Sequence, residues 1–505
     1  MIKNIPFRTS LALIAVYLVL GTSIVPIING NNEEINSVNN ISDYQTISSI
    51  INESVLDLQY IYNLTENLSY IVFTEYDEEK GEIAQGRTFG SKGEHKAAEI
   101  LYENMTKLGL YTTKEKIKPI FPFNKLTNKI EILDYNVQVN NVSIKDCYVR
   151  GIEFNAQESD PQLPHNFSHK GLKILREHPT PENDTEDYVL ISKTFIPNFT
   201  FNGETILSIL KDNLNDIFGK KNQTSYPHCI AKLNYDFLTN DTYDMEGRER
   251  TPFAFFINKS IGEMIYSNAE NLTVDFYVNQ SLNKSVESYN VIGQLNGTDP
   301  TKTVLVCCLY DGWWGQCTAD SAIGMAMVLG VAKYFVDNNI KPKYNIKFIG
   351  FGGEEYGCRG SIYYDITHFK EKIIYVIDLN QIGFKQENPR LRLEVVANNN
   401  WFLGKIWKVV ERTDYINRTG NTADIVKILS TAGHLSDDRT FALTRPLRCK
   451  TVCLLKNGEW DRHHRDGLNH TEGDVIKYFD WLDTSVTGEI VWNVTKYLTV
   501  NDILL

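Results

Sequence analysis

The chain reads as an α/β protein: a three-layer sandwich on a mixed, largely parallel sheet, with a β-rich domain inserted in it or lateral to it. Three observations predict this. From Ser288 onward, short apolar runs alternate with helix-forming stretches, as crossover connections between parallel strands require. Thr303 to Leu309 is almost continuously apolar, as a strand covered on both faces must be. Residues 129–287 differ in character: short β-rich runs, among them Asp187 to Ile191, Phe253 to Ile257 and Leu272 to Val278, are separated by polar stretches rich in Asn-x-Ser/Thr.

Taken in order, residues 1–29 read as a signal peptide or signal anchor. Lys3 and Arg8 precede a run without charge from Thr9 to Asn32, and Leu11 to Leu20 is strongly apolar. Residues 30–46 are polar and expected to be flexible. Residues 47–128 form the first part of the main domain. There Lys92 to Leu110 is helical, with an apolar stripe of Ala97, Ile100, Leu101, Met105 and Leu108 and a stop at Gly109. The inserted or lateral domain spans 129–287, and 288–505 completes the main domain. Strands are predicted at Tyr289 to Leu295, Thr303 to Leu309, Tyr344 to Phe351, Ile373 to Leu379, Leu391 to Val396 and Thr451 to Leu455. Helices are predicted at Asp320 to Val336, Gly360 to Phe369 and Trp401 to Val410.

With 42% hydrophobic and 23% charged residues, the chain has a globular composition. A formal net charge of -12 argues against sequence-independent nucleic-acid binding, which rests on basic patches. Membrane contact is expected only through an N-terminal anchor. Sequons such as Asn63, Asn141, Asn166 and Asn493 point to a secreted, luminal or extracellular glycoprotein. Of the eight cysteines, most are expected to be disulfide-bonded in that setting.

The chemistry gathers between Leu309 and His470. Asp320, Glu355 and His470 make a three-ligand set of two carboxylates and an imidazole, which leaves an open position on zinc. Glu354, beside Glu355, suits a general base. The Glu-Glu pair follows a buried strand and a Gly-Gly turn, an unusual place for a solvated acidic pair. Taken singly the residues have plainer readings: Asp320 as a helix cap, His470 as a surface residue within its own sequon. Trp313 and Trp314 either line a pocket or pack within their loop.

In series these segments resemble the zinc aminopeptidase family, which includes secreted aminopeptidases and glutamate carboxypeptidases, with glutaminyl cyclases and nicastrin as relatives. The resemblance rests on Leu309-Tyr310-Asp311, Asp320-Ser321-Ala322-Ile323-Gly324, Phe351-Gly352-Gly353-Glu354-Glu355-Tyr356-Gly357, Ile377-Asp378-Leu379-Asn380-Gln381-Ile382-Gly383, Ser436-Asp437-Asp438-Arg439-Thr440-Phe441 and His470-Thr471-Glu472-Gly473-Asp474. It implies a pair of metals bridged by Asp320. One metal would take Glu355 and His470. The other would need a histidine where this chain has Leu309 and an acidic ligand where it has Asn380. The resemblance therefore implies one zinc ion and a degenerate second position. Asp311, set with Glu354 among the catalytic candidates, would have oriented the missing histidine. Asp438 stands where the family commonly has histidine, and joins the tryptophans as a pocket candidate. The reading is a secreted, metal-dependent exopeptidase-like hydrolase acting on peptide N-termini, with a peptide or small amide as substrate. The alternatives are an inactive scaffold or receptor that binds a protein partner, and a glutaminyl cyclase-like enzyme.

Overall fold

The computed structural model describes residues 41–71, 74–77, 81–84, 86–120, 124–143, 147–151, 166–175, 188–192, 230–234, 253–257, 264–265, 267–312, 315–384, 391–419, 425–434, 436–458 and 474–500. The expected signal segment, Trp313, Trp314 and His470 lie outside them. The chain divides into two compact units, one holding Asn128–Ser285 and the other Gly30–Thr127 with Val286–Leu505.

The larger unit opens with helices α1 (Ile41–Glu53) and α2 (Leu58–Ser69), the hairpin β1 (Thr74–Asp77) and β2 (Gly81–Ala84), helix α3 (Lys92–Lys107) and strand β3 (Tyr111–Lys116). Asp57 caps α2 by accepting the Tyr60 N–H, and Ser91 caps α3 by accepting the Glu94 N–H. Ala97, Leu101 and Met105 form the buried face of α3, and Gly109 ends it with φ +76°.

The smaller unit follows with β4 (Lys129–Val139), β5 (Val142–Ser143), β6 (Cys147–Gly151), β7 (Asn166–Leu175), β8 (Tyr188–Ser192), β9 (Ile230–Asn234), β10 (Phe253–Ile257) and β11 (Thr273–Asn283). They form one sheet in the order β5-β4-β11-β7-β8-β9-β10-β6. The long β11 pairs antiparallel with β4 and β7, while β7 through β10 run parallel.

The chain then returns to the larger unit as β12 (Tyr289–Leu295) and β13 (Asp299–Leu309). A π-helical turn (Thr318–Ala322), helix α4 (Ile323–Asp337), β14 (Tyr344–Phe351), α5 (Arg359–Thr367) and β15 (Ile373–Asn380) come next. β16 (Leu391–Ala397), α6 (Asn400–Glu411), α7 (Tyr415–Thr419), β17 (Ile425–Leu429), α8 (Asp438–Thr444), β18 (Lys450–Gly458) and α9 (Trp481–Thr499) complete it. The sheet order is β17-β16-β18-β15-β13-β14-β12-β3, and its four central strands, β14, β13, β15 and β18, are parallel. β12 and β16 pair antiparallel with their inner neighbours, so the sheet is mixed, as expected.

β13 shows why the sandwich has three layers. Val304, Val306 and Cys308 enter the apolar cluster that holds residues of α2, α4 and α9. Leu305 and Cys307 enter another, with Ile349, Phe351, Tyr364 and Phe441. Alternate residues of one strand thus serve opposite faces. Thr318–Asp337 is long and apolar enough to cross a membrane, but 83% of its most apolar window is buried inside the fold, which makes it a core helix.

The expected cysteine bridging does not hold where it can be seen. No disulfide joins Cys307, Cys308, Cys317, Cys358, Cys449 or Cys453, and all six are buried. Cys307, Cys308 and Cys453 sit inside central strands, where a thiol serves as a small apolar group.

Candidate metal centre

The C-terminal ends of β13, β14 and β15 bring the predicted residues to one rim of the sheet, where open α/β sheets place their sites. Asp311, just past β13, is fully buried. Its Oδ1 accepts the Glu354 N–H at 3.0 Å and its Oδ2 the Glu355 N–H at 3.2 Å. Asp311 therefore holds the backbone of the acidic turn. With Leu309 in place of an imidazole, the partners of Asp311 are amides of a neighbouring loop.

The turn itself needs glycine. Gly353 has φ +70°, and a Cβ there would stand 2.7 Å from the Phe89 ring. The turn delivers Glu355 to a buried position, 5% exposed, and leaves Glu354 half-buried with its carboxyl surrounded by protein. Burial first, then the charges of Glu355, Asp437, Asp311 and Asp320, push the Glu354 carboxyl well above the usual carboxylate range.

Asp320 is placed by a different device. It lies in the π-helical turn before α4, where Asp320 (φ -116°, ψ 76°) and Ser321 (φ -150°, ψ 42°) leave helical geometry. It therefore does not act as a simple helix cap. Asp474 secures the turn: Oδ1 accepts the Ala319 N–H at 2.7 Å and Oδ2 the Asp320 N–H at 3.0 Å. Arg87, 1% exposed, spans the loop from β13 to this turn. Its guanidinium donates to the carbonyls of Tyr310 (2.9 Å), Leu68 (2.7 Å), Gln316 (2.8 Å) and Cys317 (2.9 Å). The sequence reading gave neither Asp474 nor Arg87 a role. Asp474 had a visible signal, since it closes the last family segment; Arg87 had none, because its partners are backbone carbonyls.

On the other side of the rim, Leu309 and Asn380 offer neither an imidazole nor a carboxylate. Leu309 is fully buried and lies in the larger apolar cluster. Asn380, 6% exposed, donates to Ser436 Oγ at 3.3 Å, and its buried Oδ1 accepts no hydrogen bond. Asp438 was expected in the pocket but is 0% exposed. Its carboxylate accepts the His434 N–H at 3.1 Å and the Thr451 hydroxyl at 3.4 Å. His434 stands in the loop before α8 with its ring enclosed. Burial, then the nearby Arg439, lower it to about 4, so its imidazole is neutral at pH 7.

The donor chemistry of the rim fits a divalent cation. Two buried carboxylates, Asp320 and Glu355, lie within electrostatic reach of Glu354, with the buried Asp311 beside them. Such a set is costly without a positive partner. Their oxygen donors suit zinc, with the imidazole of His470 outside the described residues.

Residues 290–495 match the family model of peptidase family M28. In fold the chain is similar to BSAP, a zinc aminopeptidase from Bacillus subtilis, at 15% identity and a TM-score of 0.57, covering 88% of this chain and 96% of that one. It is also similar to the aminopeptidase of Aneurinibacillus sp. strain AM-1, at 15% identity and a TM-score of 0.52, over 91% of this chain and 97% of that one. A peptidase M28 precursor from Shewanella amazonensis SB2B shares 15% identity with a TM-score of 0.56, over 90% and 96%. TRE2 of Saccharomyces cerevisiae, described as a candidate zinc metalloprotease, is 26% identical over 129 residues, which are 23% of this chain and 16% of that protein. The fold and the rim define a class of metal-dependent, peptidase-like hydrolases. Within it, residues 290–495 of the chain resemble peptidase family M28, and its fold is similar to that of zinc aminopeptidases.

Proposed function

We propose that this protein is an exported zinc-dependent exopeptidase acting on the N-termini of peptides, with one zinc ion. The observation that carries the reading is the double clamp. One buried carboxylate, Asp474, fixes the backbone at Asp320, and another, Asp311, fixes the backbone at Glu354 and Glu355. Side chains held this way are preorganised for a cation and a proton.

Asp320 and Glu355, with His470, would hold the zinc, which when bound supplies Lewis-acid polarisation of a carbonyl and acidifies water. Glu354 would take the proton from water at its carboxylate and return it to the departing amine nitrogen. Its enclosed position favours the protonated form between these steps. Export rests on the uncharged N-terminal stretch and the sequons.

A second reading is a non-catalytic scaffold. It is favoured by Leu309 and Asn380, buried where a second metal would need an imidazole and a carboxylate. One experiment separates the two. The rim of the purified chain should hold one zinc, Glu355→Ala should lose that ion, and Glu354→Gln should keep it while hydrolysis of aminoacyl amides falls by roughly 10²–10⁴-fold. A parent protein without zinc and without hydrolysis would leave the scaffold.

A further inference from the structure

Below the rim the sheet buries a second set of ligating groups that the proposed hydrolysis does not use. Asp378 on β15 is the register partner of Cys453 on β18 and, on its other side, of Cys307 on β13. Directly opposed residues point to the same face, so the three stand in a row across three central strands. Asp438, the first residue of α8, is tied to that row: its N–H donates to Asp378 Oδ2 at 3.1 Å. One carboxylate oxygen each from Asp378 and Asp438 and the Cys453 sulfur all lie within 4.8 Å of one another. Cys307 Sγ is 3.7 Å from Asp378 Oδ1. All four residues are 0% exposed.

An independent observation at Asp437 points to a ligand there. Asp437 is also 0% exposed, and neither of its carboxylate oxygens receives a hydrogen bond. Although it precedes α8, its side chain caps nothing. Ser361 stands beside it but spends its proton on the Cys358 carbonyl at 3.1 Å and faces Thr440 at 2.9 Å. Burial, and then the charge of Asp378, disfavour its ionised form. Asp378, Asp437 and Asp438 thus share one dry region with a single guanidinium, Arg439, acting on Asp438. Buried carboxylates in excess of their cations take up protons or a metal ion. The Cys453 sulfur, in ligand reach of two carboxylates, suits the metal.

We infer that Asp378, Asp438 and Cys453 form a buried divalent-metal site of mixed oxygen and sulfur ligands, separate from the Asp320–Glu355 rim. The Cys453 thiol releases its proton to solvent as the sulfur–metal bond forms. The ion would brace the loop before α8 against β15 and β18. It is independent of whether the rim hydrolyses peptides.

Cobalt(II) replacement in the full chain tests this, because thiolate ligation adds an intense near-ultraviolet charge-transfer band that oxygen and nitrogen ligands lack. The parent should show the band. Cys453→Ser and Asp438→Asn should lose it along with one metal per chain, while Glu355→Ala keeps it. No band at saturating cobalt, a band that survives Cys453→Ser, or a band lost in Glu355→Ala overturns the site. Should the variants fail to fold, cadmium-113 resonance of the parent decides: a signal in the thiolate-ligated range supports the site, and only oxygen- and nitrogen-ligated signals overturn it.

Discussion

The two sides of the rim differ in what their side chains are attached to. On the Asp320–Glu355 side, each acidic residue sits in a turn whose amides are gripped by a separate buried carboxylate, Asp474 or Asp311. On the Leu309–Asn380 side, the side chains belong to the core or to one another: Leu309 packs in the main cluster and Asn380 donates to Ser436. The difference teaches that ligand geometry here is set by backbone clamps rather than by the ligands. A clamped side chain presents its oxygens without help, whereas an unclamped one becomes part of the sandwich.

The largest effect should come from the clamp that spans most chain. Arg87→Met strips donors from three carbonyls in the loop joining β13 to the Asp320 turn and from the Leu68 carbonyl of α2. Leaving buried acceptors unsatisfied predicts a loss of stability of about 3 kcal/mol. Thermal or urea unfolding would measure it. An unchanged midpoint together with unchanged zinc binding would mean the loop holds its shape unaided, and the contrast between the two sides would fail.

Asp474→Asn should have a narrower effect. An amide can accept only one of the Ala319 and Asp320 N–H groups and presents an N–H₂ to the other. Stability should fall by about 1–3 kcal/mol, and zinc affinity by roughly 10–100-fold, as for outer groups that orient ligands. Chelator competition on the folded variant reads the second number. Asp474 grips the Asp320 turn and not the Glu354–Glu355 turn, so metal affinity that drops while Glu355 stays in place locates the fault at the Asp320 turn.

The order of elements in the larger unit was legible in the sequence because its strands are apolar runs and its turns carry Gly-Gly and acidic pairs. The alternation in β13 is hidden, since both faces are apolar, yet the continuous run itself announces a central strand. The clamps were harder to see. Asp311 and Asp474 act on amides, and an amide leaves no mark in the sequence at the position that receives it. Asp320 read as the start of a helix because Ala322 to Ala332 is apolar without a break; its φ and ψ depart from helix for one turn only. The cysteines misled for a physical reason: spacing cannot distinguish a thiol that packs inside a strand from one that bridges.

The smallest effect expected is also the sharpest test of the contrast. Asn380→Asp restores an acidic group at the rim with almost no change in volume. By itself it should leave one zinc at the rim, because Leu309 still offers no donor and the new carboxylate keeps Ser436 as a partner. Combined with Leu309→His it should admit a second ion, since an imidazole then stands at the end of β13 with Asp311 two residues on. Metal analysis of the two proteins separates the outcomes. A second zinc in Asn380→Asp alone would show that another donor, such as the neutral imidazole of His434, already completes that position. No second zinc in the double variant would show that the unclamped backbone cannot aim ligands even when they are supplied.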